Sequence, residues 1–144
     1  MTKSHPQLPP RAFCNCRPLI SGPVHATPST APISNLMTPQ SVHNFQEWFE
    51  ALHTTDQTQV AMMRLDPGST TGEDAESHAK SDQVLLVLEG SVKGEIDGNQ
   101  MTLRKGEFVV IPANTKHRFY NDFDQSVLTF NVYAPPAYPP DAKG

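Results

Sequence analysis

Between residues 57 and 133 apolar side chains recur with period two, and turn-forming residues interrupt them about every ten positions. Such alternation sends successive side chains to opposite faces of an extended backbone, so this stretch reads as strands. Residues 57–65 form the first, with Val60 and Met62 on one face and Ala61, Met63 and Leu65 on the other. Asp66, Pro67 and Gly68 end it in a turn. Residues 84–88 are all apolar, the pattern of a strand buried on both faces, and Glu89-Gly90 closes it. Residues 91–96 and 99–103 flank Asp97-Gly98, a hairpin signal because both turn residues tolerate positive φ. Arg104, Lys105 and Gly106 turn the chain again, and residues 108–111, 118–120 and 126–133 supply three more strands. Short strands at this spacing predict an all-β sandwich or barrel.

The prolines mark where that sheet ends. The first 40 residues hold Pro6, Pro9, Pro10, Pro18, Pro23, Pro28, Pro32 and Pro39, and the tail holds Pro135, Pro136, Pro139 and Pro140. Only Pro67 and Pro112 fall between, each beside turn residues. Proline lacks a ladder donor, so the middle can be sheet and the ends cannot. Residues 1–36 read as a disordered leader or as an arm lying across a partner subunit, with Phe13, Leu19, Ile20, Val24 and Ile33 as apolar anchors. Residues 37–56 read as a short helix and linker. Phe45, Trp48, Phe49 and Leu52 make one apolar stripe at helical spacing, and Asn44 with Glu47 resembles a capping box. The barrel proper spans 57–134 and a Pro-rich tail 135–144.

A chain of 144 residues suits one domain. The formal charge of -4 comes without a basic stripe, which argues against nucleic acid as a partner. No apolar run is long enough to span a membrane, and Lys3 is not followed by the apolar stretch of a secretory signal. Cys14 and Cys16 are too close for good disulfide geometry and read as reduced thiols. A cytoplasmic location is the expectation.

Two spaced blocks carry the chemistry. The first runs Gly72, five residues, His78-Ala79-Lys80-Ser81-Asp82-Gln83, six residues, Gly90; the second runs Gly106, five residues, Pro112-Ala113-Asn114-Thr115-Lys116-His117, three residues, Asn121. This pair resembles the two-motif signature of the cupin superfamily. The resemblance covers about residues 57–134 and implies a double-stranded β-helix, the cupin or jelly-roll barrel. In metal-binding members the first block carries His-x-His and a Glu, and the second carries one more His. Here Lys80 stands where the second His would be, and Gln83 replaces the Glu, one residue closer to the first block than usual.

His78 and His117 offer two imidazoles and Gln83 a neutral carbonyl oxygen, a donor set suited to a divalent first-row metal. A zinc, nickel, iron or manganese ion is therefore the implied cofactor. Its binding is expected to be weak or absent. The protonated Lys80 ammonium has no lone pair, and the lost Glu leaves the metal charge unbalanced. The same residues support an opposite reading, in which Lys80, His78, His117 and Gln83 form a donor-rich pocket for an anion, Lys80 fixing it while a His acts as base. Catalytic candidates are thus His78, Lys80 and His117; metal candidates are His78, Gln83 and His117. Asn121 reads as a turn stabiliser, and His5, His25, His43 and His53 as surface residues.

Three functions follow: a small enzyme, metal-dependent or not, acting on an organic acid or sugar-like metabolite; a metal-free module that binds or senses a small anion; and a scaffold whose pocket is filled by side chains. Small cupins commonly pair, so a homodimer is expected.

Overall fold

The structure is a computed structural model that describes residues 36–144. The segment read as a leader or arm, together with Cys14, Cys16, His5 and His25, lies outside the described residues. Eight strands follow one another: β1 Phe49–Thr54, β2 Gln59–Leu65, β3 Asp82–Glu89, β4 Ser91–Ile96, β5 Asn99–Arg104, β6 Phe108–Ile111, β7 His117–Tyr120 and β8 Val127–Ala134. They build a five-stranded sheet in the order β1-β2-β8-β3-β6 and a three-stranded sheet in the order β5-β4-β7. All strand pairs are antiparallel. The segment between β2 and β3 bridges to β7 at Thr70↔Tyr120 and Glu76↔His117. The core between the sheets is apolar, with Phe49, Ala61, Leu65, Leu85, Val87, Val92, Ile111, Phe119 and Val127 buried.

Local chemistry explains the turns. Asp97 and Gly98 both adopt positive φ, as the β4–β5 hairpin requires. At Gly90 φ is +76°, and a Cβ there would lie 2.6 Å from the Ser126 carbonyl oxygen, so only glycine fits. Asn121 is fully buried and secures the turn after β7. Its Nδ2 donates to the carbonyls of Leu65 at 2.9 Å and Gln125 at 2.8 Å, and its Oδ1 accepts the Phe123 N–H.

Two expectations are corrected. The stripe Phe45, Trp48, Phe49, Leu52 is not a helix. Phe49 opens β1, which pairs with β2 through Phe49↔Met63 and Ala51↔Ala61. The stripe is divided between two surfaces: Phe49 enters the inner core, while Phe45 and Leu52 join Met62, Leu128 and Phe130 in a second apolar cluster. Long-range pairing has overridden a short local periodicity. The helical turn that forms is a single 3₁₀ turn at Val42–Asn44, capped by Ser41 rather than Asn44. The second correction concerns β3. Gln83, Leu85 and Val87 are buried, but Val84, Leu86 and Leu88 are only half-buried, so one face alone is covered.

The Pro-rich tail is not sheet in the sense of the barrel strands, yet it docks on the β1 edge. The Ala51 N–H donates to the Ala142 carbonyl at 2.9 Å, and the Gly144 N–H to the Phe49 carbonyl at 3.0 Å. Edge coverage of this kind uses backbone groups that would otherwise face solvent. No helix among the described residues is long and apolar enough to cross a membrane.

Candidate functional site

Where the sheets part, a cavity of about 50 Å³ is lined by His78, Gln83 and His117 together with Trp48, Phe49, Met63, Phe119, Tyr133 and Tyr138. Thr71, Asp74 and Glu76 complete its wall. At roughly 10–15 Å³ per enclosed water, the space suits an ion with a few waters or a ligand fragment of similar size.

His78 arrives on the extended segment before β3, where its carbonyl accepts the Asn114 N–H at 2.7 Å. That bond ties the first sequence block to the second. Asn114 sits in the left-handed region at φ 63°, which lets the turn between β6 and β7 reach back. His117 then opens β7, paired with Glu76 through both backbone bonds, at 3.0 and 2.8 Å. The two imidazole rings lie 5.2 Å apart between centroids. His78 also packs edge-on against Tyr133 at 5.1 Å and Tyr138 at 5.3 Å.

The tautomer of His117 follows from its neighbours. Its Nδ1 lies 2.8 Å from the Thr115 carbonyl oxygen, an acceptor only, so Nδ1 carries the proton and Nε2 keeps its lone pair. Burial pushes the His117 pKa below 6.5, opposed by the Thr115 bond and by the charge of Glu76. The ring is neutral at pH 7. Burial, with Tyr138 beside it, raises the Tyr133 hydroxyl well above its ordinary range, so that group stays protonated.

Gln83 points inward from β3 and is 4% exposed. Its Nε2 donates to Asn131 Oδ1 at 3.1 Å, while its Oε1 has no hydrogen-bond partner among the described residues. Lys80 takes no part. The chain bends at Ala79–Lys80, and the inside-outside alternation slips there by one residue. His78, Ser81 and Gln83 are buried, whereas Lys80 and Asp82 are exposed. Asp82 instead accepts the Ala113 N–H at 2.8 Å, fastening the two blocks from outside. The expectation that Lys80 serves the site fails for this geometric reason. His43 is exposed and His53 half-exposed, both away from the cavity.

Sequence reasoning missed Tyr133, Tyr138 and Trp48 as cavity walls, and Asn131 behind Gln83. For β8 a signal existed. Thr129, Asn131 and Tyr133 alternate with Leu128, Phe130 and Val132, and this polar row faces inward. Tyr138 and Trp48 carried no such signal, since their placement depends on tail and β1 docking.

The cavity is lined by two imidazoles and the Gln83 amide, with carboxylates at Asp74 and Glu76 in its wall. Among the described residues no group of three or more His, Cys, Asp or Glu could hold a metal ion.

Comparison with known proteins agrees with this architecture. A comparison with curated protein sequences finds no match. BH2720 from Bacillus halodurans superposes with a TM-score of 0.66 at 25% identity, covering 83% of this chain and 90% of that one. TT1209 from Thermus thermophilus gives 0.62 at 21% identity, covering 69% and 98%. KdgF from Halomonas sp. gives 0.55 at 22% identity, covering 61% and 79%. The cupin-domain family model, Cupin_2, matches residues 61–133, the span from β2 to β8 that supplies His78, Gln83 and His117. With half the chain matched and both sequence blocks meeting in one barrel, this protein belongs to the cupin family.

Proposed function

We propose that the cavity holds a divalent transition metal (zinc, nickel, iron or manganese) between His78, Gln83 and His117, and that the protein is a small metal-dependent enzyme acting on an organic acid or sugar-like metabolite. The observation that carries this reading is that Gln83, whose Oε1 has no partner among the described residues, lines one aromatic cavity with two imidazoles. A buried carbonyl without a partner costs about 1–3 kcal/mol, and a cation there offsets that cost. The metal would supply Lewis-acid activation. The protein's own groups would do the rest. His117, neutral and with Nδ1 tied, presents Nε2. Tyr133 and Tyr138 wall the space. Glu76 and Asp74 offset part of the charge that three neutral ligands leave.

The anion-binding alternative drew on Lys80 together with His78, His117 and Gln83; Lys80 is exposed, and among the described residues no Lys or Arg lines the cavity. Metal analysis decides the matter. Purified protein reconstituted with nickel or zinc is expected to retain close to one equivalent, and His78→Ala and His117→Ala to retain none. Less than about a tenth of an equivalent in the wild type sinks the reading.

We also infer a homodimer through the outer face of the five-stranded sheet. Phe108 and Val110 on β6 are 66% and 55% exposed, and they neighbour Leu86 and Val84 in register. An uncharged apolar row of this kind marks an association surface.

A further inference from the structure

The inward row of β8 forms a directed relay. Thr129 Oγ1 donates to the Met63 carbonyl at 3.4 Å, Asn131 Nδ2 donates to Thr129 Oγ1 at 2.9 Å, and Gln83 Nε2 donates to Asn131 Oδ1 at 3.1 Å. Thr129, Asn131 and Gln83 are 0%, 1% and 4% exposed. Each bond sets the sense of the next. The Thr129 hydroxyl, its proton sent to Met63, accepts from the Asn131 amide; Asn131 Oδ1 must then accept from Gln83. Gln83 Nε2 gives one N–H to Asn131, and Oε1 is the atom left without a partner among the described residues.

The same residues can be wired backwards. If Thr129 donated to Asn131, both amides would turn over, and Gln83 would offer its amino group to the cavity. That pocket would suit an anion. The observed sense keeps the bond to Met63, which the reversed one gives up. Bonds in a buried polar chain strengthen one another, so the added bond to Met63 favours the observed sense.

We propose that Asn131, backed by Thr129, is a positioning residue that fixes the Gln83 carbonyl toward the cavity, making the site select cations over anions. The inference rests on the reading that the cavity takes a metal. It also explains how an amide can stand at a carboxylate position: a carboxylate presents an oxygen whichever way it turns, whereas an amide needs its orientation held.

The test is a nickel titration by calorimetry on wild type, Asn131→Leu, Gln83→Glu and the double variant, each checked for folding by thermal melting. Asn131→Leu is expected to weaken nickel binding at least tenfold. In the Gln83→Glu background the same change is expected to matter less than twofold. A loss that persists undiminished beside Gln83→Glu makes Asn131 merely structural and overturns the proposal, as does unaltered binding by Asn131→Leu. Should that variant fail to fold, Thr129→Val replaces it, with a several-fold loss expected and none overturning the idea. Oxalate binding to the metal-free wild type would mean the reversed relay and overturn the proposal. A wild type that binds no nickel overturns this proposal and the metal reading together.

Discussion

Gln59 grips the Tyr138 backbone with both ends of its amide: Nε2 donates to the Tyr138 carbonyl at 2.9 Å, and Oε1 accepts the Tyr138 N–H at 3.1 Å. Gln59 is fully buried in β2, and Nε2 also donates to Thr54 Oγ1 at 2.9 Å. Tyr138 is thereby held against Phe49, Tyr133 and His78 as the cavity's roof. Gln59→Leu keeps the volume and deletes the clip. It should cost about 1–3 kcal/mol in urea unfolding. The only tryptophan, Trp48, lines the same cavity, so its emission should shift to the red as the roof loosens. Unchanged emission would mean that Tyr138 is held by other contacts.

Acid should destabilise the metal-free protein through His117. Its folded-state pKa is depressed by burial, while the unfolded chain keeps the ordinary 6.5. Above that value the ring is neutral in both states and contributes no slope. Below it the unfolded chain takes up a proton that the folded ring resists, so stability falls as pH drops through 6.5. Urea unfolding in EDTA on either side of that pH should show the slope, and His117→Asn should flatten it. An equal slope in the variant would assign the effect elsewhere.

Asn121 is expected to matter for folding and not for ligands. Its three side-chain hydrogen bonds join the end of β2, the turn after β7 and the approach to β8. Asn121→Ala should cost about 2–4 kcal/mol, near one per bond lost in a buried site. Nickel affinity of the folded fraction should be unchanged; a loss there would place Asn121 in the site.

Phe108→Lys should convert the dimer to monomer. The residue is exposed on an edge strand, so the change carries little penalty within the protomer. Light scattering should read one chain mass for the variant and twice that for the wild type. A wild type that is already monomeric defeats the dimer inference.

Strand positions were legible because turn chemistry punctuates them: Asp97-Gly98 and Gly90 stand where the backbone needs positive φ. His78 and His117 were legible because their spacing belongs to a family frame. What escaped was set by contacts distant in sequence. Phe45 to Leu52 looks helical until β2 and the tail claim Phe49, Glu50 and Ala51 as a strand. Tyr138 roofs the cavity only because Gln59, far back in the chain, holds it there. Lys80 was read from the motif frame, which does not reveal the bend at Ala79–Lys80 that leaves it exposed.

That bend reaches beyond Lys80 itself. A histidine written into position 80 would complete the family's ligand motif on paper, yet it would extend from a backbone whose phase turns it outward. The vacancy in the ligand set is therefore a matter of chain path, and reviving a fourth donor would take a shift of one residue between His78 and Gln83, not a change of residue type.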